Sequence, residues 1–388
     1  MLVDRLTLTS FRSYAAIDAT FPDGPQVIVG DNATGKTNLL ESLVVLGTGR
    51  SHRAAADGEL IAWGAEFCRL EASVADSGGT KTLLEVIVER TAGGAGAGSG
   101  SVSGSGGGRK RIQVNGVGRR ATALAAALPV VLFAPEDMLL ISGSPALRRA
   151  SLDTLVAQTM PAAGATLSTY ARAITQRNNL LRAIRENAAA PDELRFWDEV
   201  VIDEGARIVD WRRDILARLA EPLAAAHLEI APAEERLELR YVTNAEPQVT
   251  ETTRDALRRR LSETADKEQW NGATLIGPHR DDIVFASAAR DLAGFASRGQ
   301  QRTAILAFKL AQLDLLRGAL GQAPLLLLDD VFSELDPSRR AHLVRRIGEL
   351  PQAFVTTTTT DDLDPQLVAA ATVWQVTPGR LARVGGSA

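Results

Sequence analysis

The chain has 388 residues, 45% hydrophobic and 23% charged, with a formal net charge of −4; this is the composition of a globular protein long enough for two or three structural units. One cysteine, Cys68, excludes an internal disulfide framework and a four-cysteine metal site. No apolar run approaches the ~20 residues of a membrane-spanning helix, and the acidic balance leaves any nucleic acid to be met by local basic patches. Residues 1–5 lack the apolar core of a signal peptide, so the expected compartment is the cytoplasm, with no membrane partner.

Residues 3–8 and 16–21 read as strands joined by a loop that holds Phe11, Arg12 and Tyr14. A short apolar run, 26–29, leads into Gly30-Asp31-Asn32-Ala33-Thr34-Gly35-Lys36-Thr37, and an apolar-periodic segment, 38–46, follows. The stretch fits G-x-x-x-x-G-K-[ST] in the strand–loop–helix setting that a phosphate-binding loop needs. Gly30 and Gly35 let the backbone turn so that successive N–H groups converge on phosphate oxygens. The helix beginning near Asn38 adds its positive end. Lys36 is expected to reach the β- and γ-phosphates, and Thr37 to ligate Mg²⁺ through its hydroxyl.

Gly49-Arg50-Ser51-His52-Arg53 reads as an exposed basic turn, and 68–74 and 81–90 alternate as antiparallel strands do. Residues 93–108 are Gly, Ser and Ala with one Val, too little apolar surface to offset the entropy of ordering, so a disordered tip is expected there. Residues 111–116 resume as a strand ending in an Asn115-Gly116 turn, and 128–133 are a β-branched apolar run before Pro135-Glu136-Asp137. From 145 to 227 apolar residues recur at helical spacing, with stripes expected to face a core. Residues 237–242 read as a strand and 252–261 as a basic helix. Arginines 148, 149, 172, 177, 182, 185 and 258–260 are candidates to line a phosphate-backbone groove.

Further on, Ala296-Ser297-Arg298-Gly299-Gln300-Gln301-Arg302 opens a helix over 303–316, with Ser297 as N-cap and a positive start suited to a γ-phosphate. Leu325-Leu326-Leu327-Leu328-Asp329-Asp330 is a buried strand ending in two carboxylates. Asp329 is placed to hold Mg²⁺, and Asp330 to accept a proton from attacking water. Ser333-Glu334-Leu335-Asp336 follows at once.

Phosphate loop, long insertion, signature-like turn, acidic strand and Ser333–Asp336 stand in the order that resembles ABC-type ATPases. In that superfamily the signature contacts ATP held on the partner subunit, and Ser333 to Asp336 correspond to its D-loop. The long separation resembles the SMC-like members, although no sustained heptad appears and one cysteine excludes a zinc hook. With Phe11-Arg12-Ser13-Tyr14, Gly35-Lys36-Thr37-Asn38-Leu39-Leu40-Glu41, Gly49 to Arg53, Phe133 to Asp137 and Gly277-Pro278-His279-Arg280-Asp281-Asp282, the chain resembles the RecF family of bacterial DNA replication and repair proteins over nearly its whole length.

The resemblance implies an α/β fold: an ABC-type ATPase head with a mixed sheet, in two parts (1–140 and 266–388), interrupted by a mainly helical lobe (141–265) with no long coiled coil. It implies ATP and Mg²⁺ as cofactors, with Gly30 to Asn38 around the nucleotide. Ser297 and Gly299 of a second copy would cap the γ-phosphate in an ATP-dependent homodimer, and Arg298, Gln300, Gln301, Ser333 and Asp336 are further nucleotide-binding residues. The partners implied are duplex DNA, junctions of single- and double-stranded DNA, RecR and RecO; the ATP-closed dimer would clamp duplex DNA near single-strand gaps, and a slow, DNA-stimulated ATPase would release it. Two departures bear on this. Ala33 stands where the family often has Gly, which restricts the backbone. Residues 354–359 also lack the His that transporter-type ABC ATPases carry there; a Thr can hydrogen-bond but cannot carry a proton as imidazole does. With Asp330 shorter than the usual Glu, slow hydrolysis is expected. A transporter-coupled subunit and a nucleotide-gated scaffold with negligible hydrolysis are the other readings. Gly277 to Asp282 is expected to be a packed turn rather than a metal site.

Overall fold

A computed structural model describes residues 1–90 and 108–384. The Gly/Ser-rich tip expected at 93–108 lies, up to residue 107, outside the described residues. The chain divides into two compact units, Met1–Pro135 with Gln312–Ala388, and Glu136–Ala311.

The first stretch contributes strands β1 (Leu2–Phe11), β2 (Tyr14–Thr20), β3 (Gly24–Val29), β4 (Phe67–Ala75), β5 (Lys81–Arg90), β6 (Gly108–Val114), β7 (Val117–Gly118) and β8 (Val130–Phe133). The second unit adds β9 (Leu237–Val242), β10 (Asp282–Ser287) and β11 (Arg290–Asp291). The chain returns with β12 (Leu325–Asp329), β13 (Gln352–Thr357), β14 (Thr372–Thr377) and β15 (Arg380–Arg383).

In the first unit one sheet is antiparallel, in the order β2-β1-β4-β5-β6-β7. Its strands alternate, as β4 does with Cys68, Leu70, Ala72 and Val74 buried, because one face alone meets the core. Asn115 and Gly116 have φ of 52° and 74°, the paired left-handed residues of a tight hairpin between β6 and β7. The other sheet runs β15-β14-β3-β13-β12-β8 and is parallel apart from β15. Its β12 is buried throughout, the mark of a strand covered on both faces.

The helix Lys36–Thr48 belongs to the core of both sheets. Its Leu39 and Leu43 join Leu8 and Val86 of the antiparallel sheet and Ile28 and Leu327 of the parallel one in a single cluster. A helix so placed is apolar nearly all round, as a buried helix must be. Gln352, at the start of β13, pairs with Val3 of β1: the Val3 N–H donates to Oε1 at 2.7 Å and Nε2 donates to the Val3 carbonyl at 3.1 Å. It does so where the β1–β4 register shifts, satisfying backbone groups that the ladder leaves over.

In the second unit the helices Pro145–Thr159, Ala163–Arg185, Leu194–Ile230 and Thr253–Glu263 occupy the stretches with helical periodicity. Tyr170, Ala173, Val201, Ile208, Leu257 and Ile276 form its core. It also holds an antiparallel sheet, β11-β10-β9, whose β10 the sequence reading did not include. Residues 136–140 and 266–311, assigned from the sequence to the nucleotide domain, belong to this unit.

Most of the arginines expected along a phosphate groove are engaged inside the second unit instead. Arg148 grips both oxygens of Asp282 (2.7 and 2.8 Å), and Arg149 donates to the Asp281 carbonyl (2.7 Å). Arg177, 3% exposed, pairs with Asp198 and Glu268. Arg258, Arg259 and Arg260 pair with Glu199, Glu251 and Glu263 respectively. The partners are mostly far apart in sequence, which is why the run of charge reads as free until the chain is folded. Arg172, Arg182 and Arg185 stay exposed.

Gly277 to Asp282 is a packed turn, as expected. The Tyr170 hydroxyl donates to His279 Nδ1 at 2.7 Å, and His279 Nε2–H donates to the Thr274 carbonyl at 3.2 Å. Arg212 donates to the Pro278 carbonyl, and Tyr241 to Asp281. Among the described residues no group of His, Cys, Asp and Glu is arranged to hold a metal. Burial, with the charges of Arg280, Arg149 and Arg177 acting in the same direction, pushes the His279 imidazole down to about 4. In the unfolded chain it titrates near 6.5, so between those values the unfolded chain binds a proton that the folded one refuses. Stability conferred by neutral His279 is therefore complete above that window and is lost as pH falls through it. Thermal melting from neutral pH down to the lower edge of the window checks this. The His279→Gln variant is expected to lose less stability across the window than the parent; an equal loss contradicts the assignment.

Candidate nucleotide site

β3 ends at Val29 and the helix begins at Lys36, so the glycine loop is the whole connection between them. Glycine is required twice. A Cβ at Gly30 would lie 2.5 Å from the Val376 carbonyl oxygen, and Gly35 has φ of 115°, with a Cβ there 2.8 Å from the Tyr14 hydroxyl. Ala33 sits at φ of 65°, so this alanine accepts a left-handed conformation costing about 1 kcal/mol. Between them Thr34 closes a turn, its hydroxyl donating to the Asp31 carbonyl at 2.8 Å.

Lys36 Nζ donates back to the Gly30 and Asp31 carbonyls, at 2.6 and 2.9 Å. Burial holds its ammonium below the ordinary range, against the pull of Asp330, Asp329 and Asp31. The lysine is therefore a poorly hydrated cation within the loop, ready to exchange carbonyl partners for phosphate oxygens.

From β12 comes Asp329, 5% exposed. Its Oδ1 accepts from Thr37 Oγ1 at 3.2 Å and from Thr356 Oγ1 of β13 at 2.6 Å. Thr356 in turn accepts the N–H of Asp330 at 3.0 Å. Asp330 has φ of 52°, a strained conformation for a non-glycine residue, and this hydrogen bond helps hold it. Burial raises the Asp330 carboxyl above its usual range, with Asp329, Glu334 and Asp362 adding to the effect and Lys36 opposing it. A carboxyl raised in this way is suited to accept a proton.

A hydroxyl and one carboxylate, with two glycines shaping an anion cradle, are the donors that Mg²⁺ uses when phosphates and water complete its shell. Thr37 and Asp329 fit that ion, and Gly30 to Lys36 fit the phosphates.

The loop rests on a polar scaffold that the sequence reading did not assemble. The Tyr14 hydroxyl donates to the Gly35 carbonyl (2.8 Å), and Asn38 Nδ2 donates to Ser13 Oγ (2.9 Å). Glu41, fully buried in the same helix, accepts from Arg12 Nε and Nη2 at 2.8 and 2.6 Å, and from the Ser51 hydroxyl as well. Ser51 Oγ accepts the N–H groups of Arg53 and Ala54, so the basic turn is tied down at its centre, with Arg50 and Arg53 exposed. The available signal was an acid inside an otherwise apolar helix.

Ser333 donates to the Asp330 carbonyl at 2.9 Å, whereas Asp336 caps the helix Pro337–Gly348, accepting from Arg339 N at 3.0 Å and Ser338 Oγ at 2.7 Å. The signature residues belong to the second unit. There Ser297 Oγ accepts the Gln300 N–H (3.3 Å) and Gln300 Oε1 accepts the Ser297 N–H (3.0 Å), a reciprocal capping box. The helix therefore starts at Arg298 rather than at 303, and runs to Leu320. Ser297, Arg298 and Gln300 are exposed at its positive end, beside Gly299 and Gln301.

Residues 2–377 match the family model described as the RecF/RecN/SMC N-terminal domain. The chain is 36% identical to the DNA replication and repair protein RecF of Halalkalibacterium halodurans, over 99% of this chain and 100% of that one. It is 34% identical to the RecF of Bacillus subtilis, again over 99% of this chain and 100% of that one. Among solved structures it is similar to a recombination mediator protein RecF with ATP, of the RecFOR pathway: TM-score 0.87, 28% identity, 99% of this chain and 97% of that chain. An SMC head bound to the C-terminal winged-helix domain of ScpA shares the fold, at TM-score 0.52 and 15% identity.

Replacing Thr356 by Val keeps the shape but removes the donor to Asp329 and the acceptor for Asp330. The expected cost is about 2 kcal/mol, since a hydrogen bond to a charged group is lost and an N–H is left without its acceptor. Thr356→Ser is expected to recover most of it. Urea denaturation reads both; a Val variant as stable as the parent contradicts the bridge.

Proposed function

This chain belongs to the RecF family, and from that premise we propose that it is an ATP-dependent DNA-binding protein of recombinational repair and replication restart, working as a homodimer closed by ATP. The observation that carries the reading is the meeting of Thr37 and Asp329 beside the glycine loop, 292 positions apart in the chain. It supports a triphosphate held with Mg²⁺, which would neutralise phosphate charge when bound.

The chain's own residues then act as follows. Lys36 exchanges the carbonyls of Gly30 and Asp31 for the β- and γ-phosphates. Gly30 to Asn38 supply backbone N–H groups and the helix start. The signature turn of a second copy, Ser297 to Gln301, caps the γ-phosphate with its own helix start, joined by Ser333 and Asp336. ATP is thereby part of the dimer interface. Asp330 accepts the proton of attacking water, and Thr356 keeps both aspartates in place. No imidazole stands on β13 to share the proton, so hydrolysis is slow and serves to release the clamp. Duplex DNA beside single-strand gaps is the substrate of the clamp. The RecFOR pathway, to which solved relatives are assigned, supports RecR and RecO as partners in loading recombinase. The cytoplasm is the compartment of such work.

Sedimentation with ATP and Mg²⁺ tests this. A monomer–dimer shift at micromolar protein is expected, absent in Lys36→Met. In Asp330→Asn the dimer is expected to persist, because losing a general base slows hydrolysis by about a hundredfold or more. A chain that stays monomeric with ATP under these conditions would overturn the reading.

A further inference from the structure

The helix Ala163–Arg185 contains no Asp or Glu in its 23 residues, and its solvent side carries Arg172, Gln176, Asn179, Arg182 and Arg185. Against its C-terminal end lies the short helix Ala265–Asn271, which stops at Gly272 with φ of 65°. Glycine is needed there for space as well, because a Cβ would fall 2.9 Å from Arg182 Cγ and 3.2 Å from Arg185 Nη1. Arg185 donates to the Asn271 carbonyl, and the neighbouring Trp270 is 81% exposed. From the other side Arg280 donates Nε and Nη2 to the Thr274 carbonyl at 3.1 and 3.0 Å. Thr274 is itself fixed to Asn178 of the long helix by two hydrogen bonds of 2.7 and 2.8 Å. Three guanidinium groups and one indole are thus gathered around the strap 270–274.

Some exposed arginines of this unit are neutralised, as Arg254 is by Glu199 and Asp203. Here the Arg182 guanidinium makes no hydrogen bond or ion pair with any described residue, and the one carboxylate near Arg185 is that of Glu186 at 4.0 Å. Lys267 adds a cation and Asp266 an exposed carboxylate, whereas Glu268 is fully buried and bound to Arg177 and the Leu275 N–H.

We propose that Arg182, Arg185, Arg280 and Trp270 form a contact site for unpaired nucleotides of DNA, and this rests on the DNA-binding function proposed above. Guanidinium forks match phosphate oxygens, and an exposed indole offers the flat face on which a base without a partner strand stacks. A continuous duplex has its bases already stacked and gains nothing from Trp270. An acidic protein segment fits less well, since no other large hydrophobic residue of either helix is exposed to make a pocket for its side chains. The site would let the clamp distinguish a gapped duplex from an unbroken one.

The test measures binding of the full chain, with ATP and Mg²⁺, to a gapped and to a continuous duplex of equal length across a salt series. Trp270→Ala is expected to weaken the gapped complex by about tenfold and to leave the continuous one within about twofold, whereas Trp270→Phe keeps most of the difference. Arg182→Gln and Arg280→Gln are each expected to lower the slope of log affinity against log salt for gapped DNA by about 0.7. In the unmodified chain, a 5-iododeoxyuridine placed in the gap is expected to photocrosslink to Trp270. Equal loss on both DNAs, no loss on either, or a crosslink elsewhere overturns the site while leaving DNA binding intact. If an oligo-glutamate peptide containing phenylalanine displaces DNA as well as a single strand of equal charge, the surface is a protein-docking face. A parent chain that binds neither DNA overturns the proposed function itself, and the site with it.

Discussion

The carboxylate of Asp329 is the point on which the site closes. One of its oxygens accepts hydrogen bonds from Thr37 and Thr356, which reach it from the phosphate helix and from β13. They can do so because β3, β13 and β12 lie side by side and parallel, so the loop after β3, the threonines of β13 and the acids of β12 come to the same edge. Ligands of open α/β sheets collect at that edge for the same reason. Strand register brings these groups together although the second unit separates β8 from β12 in the chain.

A second buried carboxylate organises the other side of the phosphate helix. Glu41 has no exposed surface and is held by Arg12 and Ser51. A buried ion pair adds little net stability, but a charge left alone in the core costs several kcal/mol, so the pair fixes where its partners go. Two sequence features that look unrelated, Phe11 to Tyr14 and Gly49 to Arg53, are thereby explained by one side chain. The first also brings Tyr14 to the Gly35 carbonyl and Ser13 to Asn38, bracing the loop from behind.

The nucleotide half of the site was legible because its chemistry is local. Glycines, lysine and threonine act within eight consecutive residues, and the leucine run of β12 announces both its burial and the acids at its tip. The bridging role of Thr356 was not legible: five threonines in a row, 356–360, do not reveal which hydroxyl faces an aspartate on the neighbouring strand. The arginines of the second unit misled for the complementary reason. Arg148 and Arg177 look like surface charge in sequence, and only folding supplies Asp282 and Glu268 to them. β10 escaped notice because its six residues follow a motif with no periodicity of its own.

The central claim is that Thr37, Asp329 and the glycine loop make one Mg²⁺-dependent triphosphate site. Calorimetric titration of ATP into the protein, with and without Mg²⁺, tests it most directly when repeated on Asp329→Asn. The account predicts that Mg²⁺ tightens ATP binding at least about tenfold in the parent and has little effect in the variant, since the carboxylate is the protein's one charged ligand for the ion. Identical binding with and without Mg²⁺ in the parent, or an unchanged Mg²⁺ effect in the variant, would contradict it.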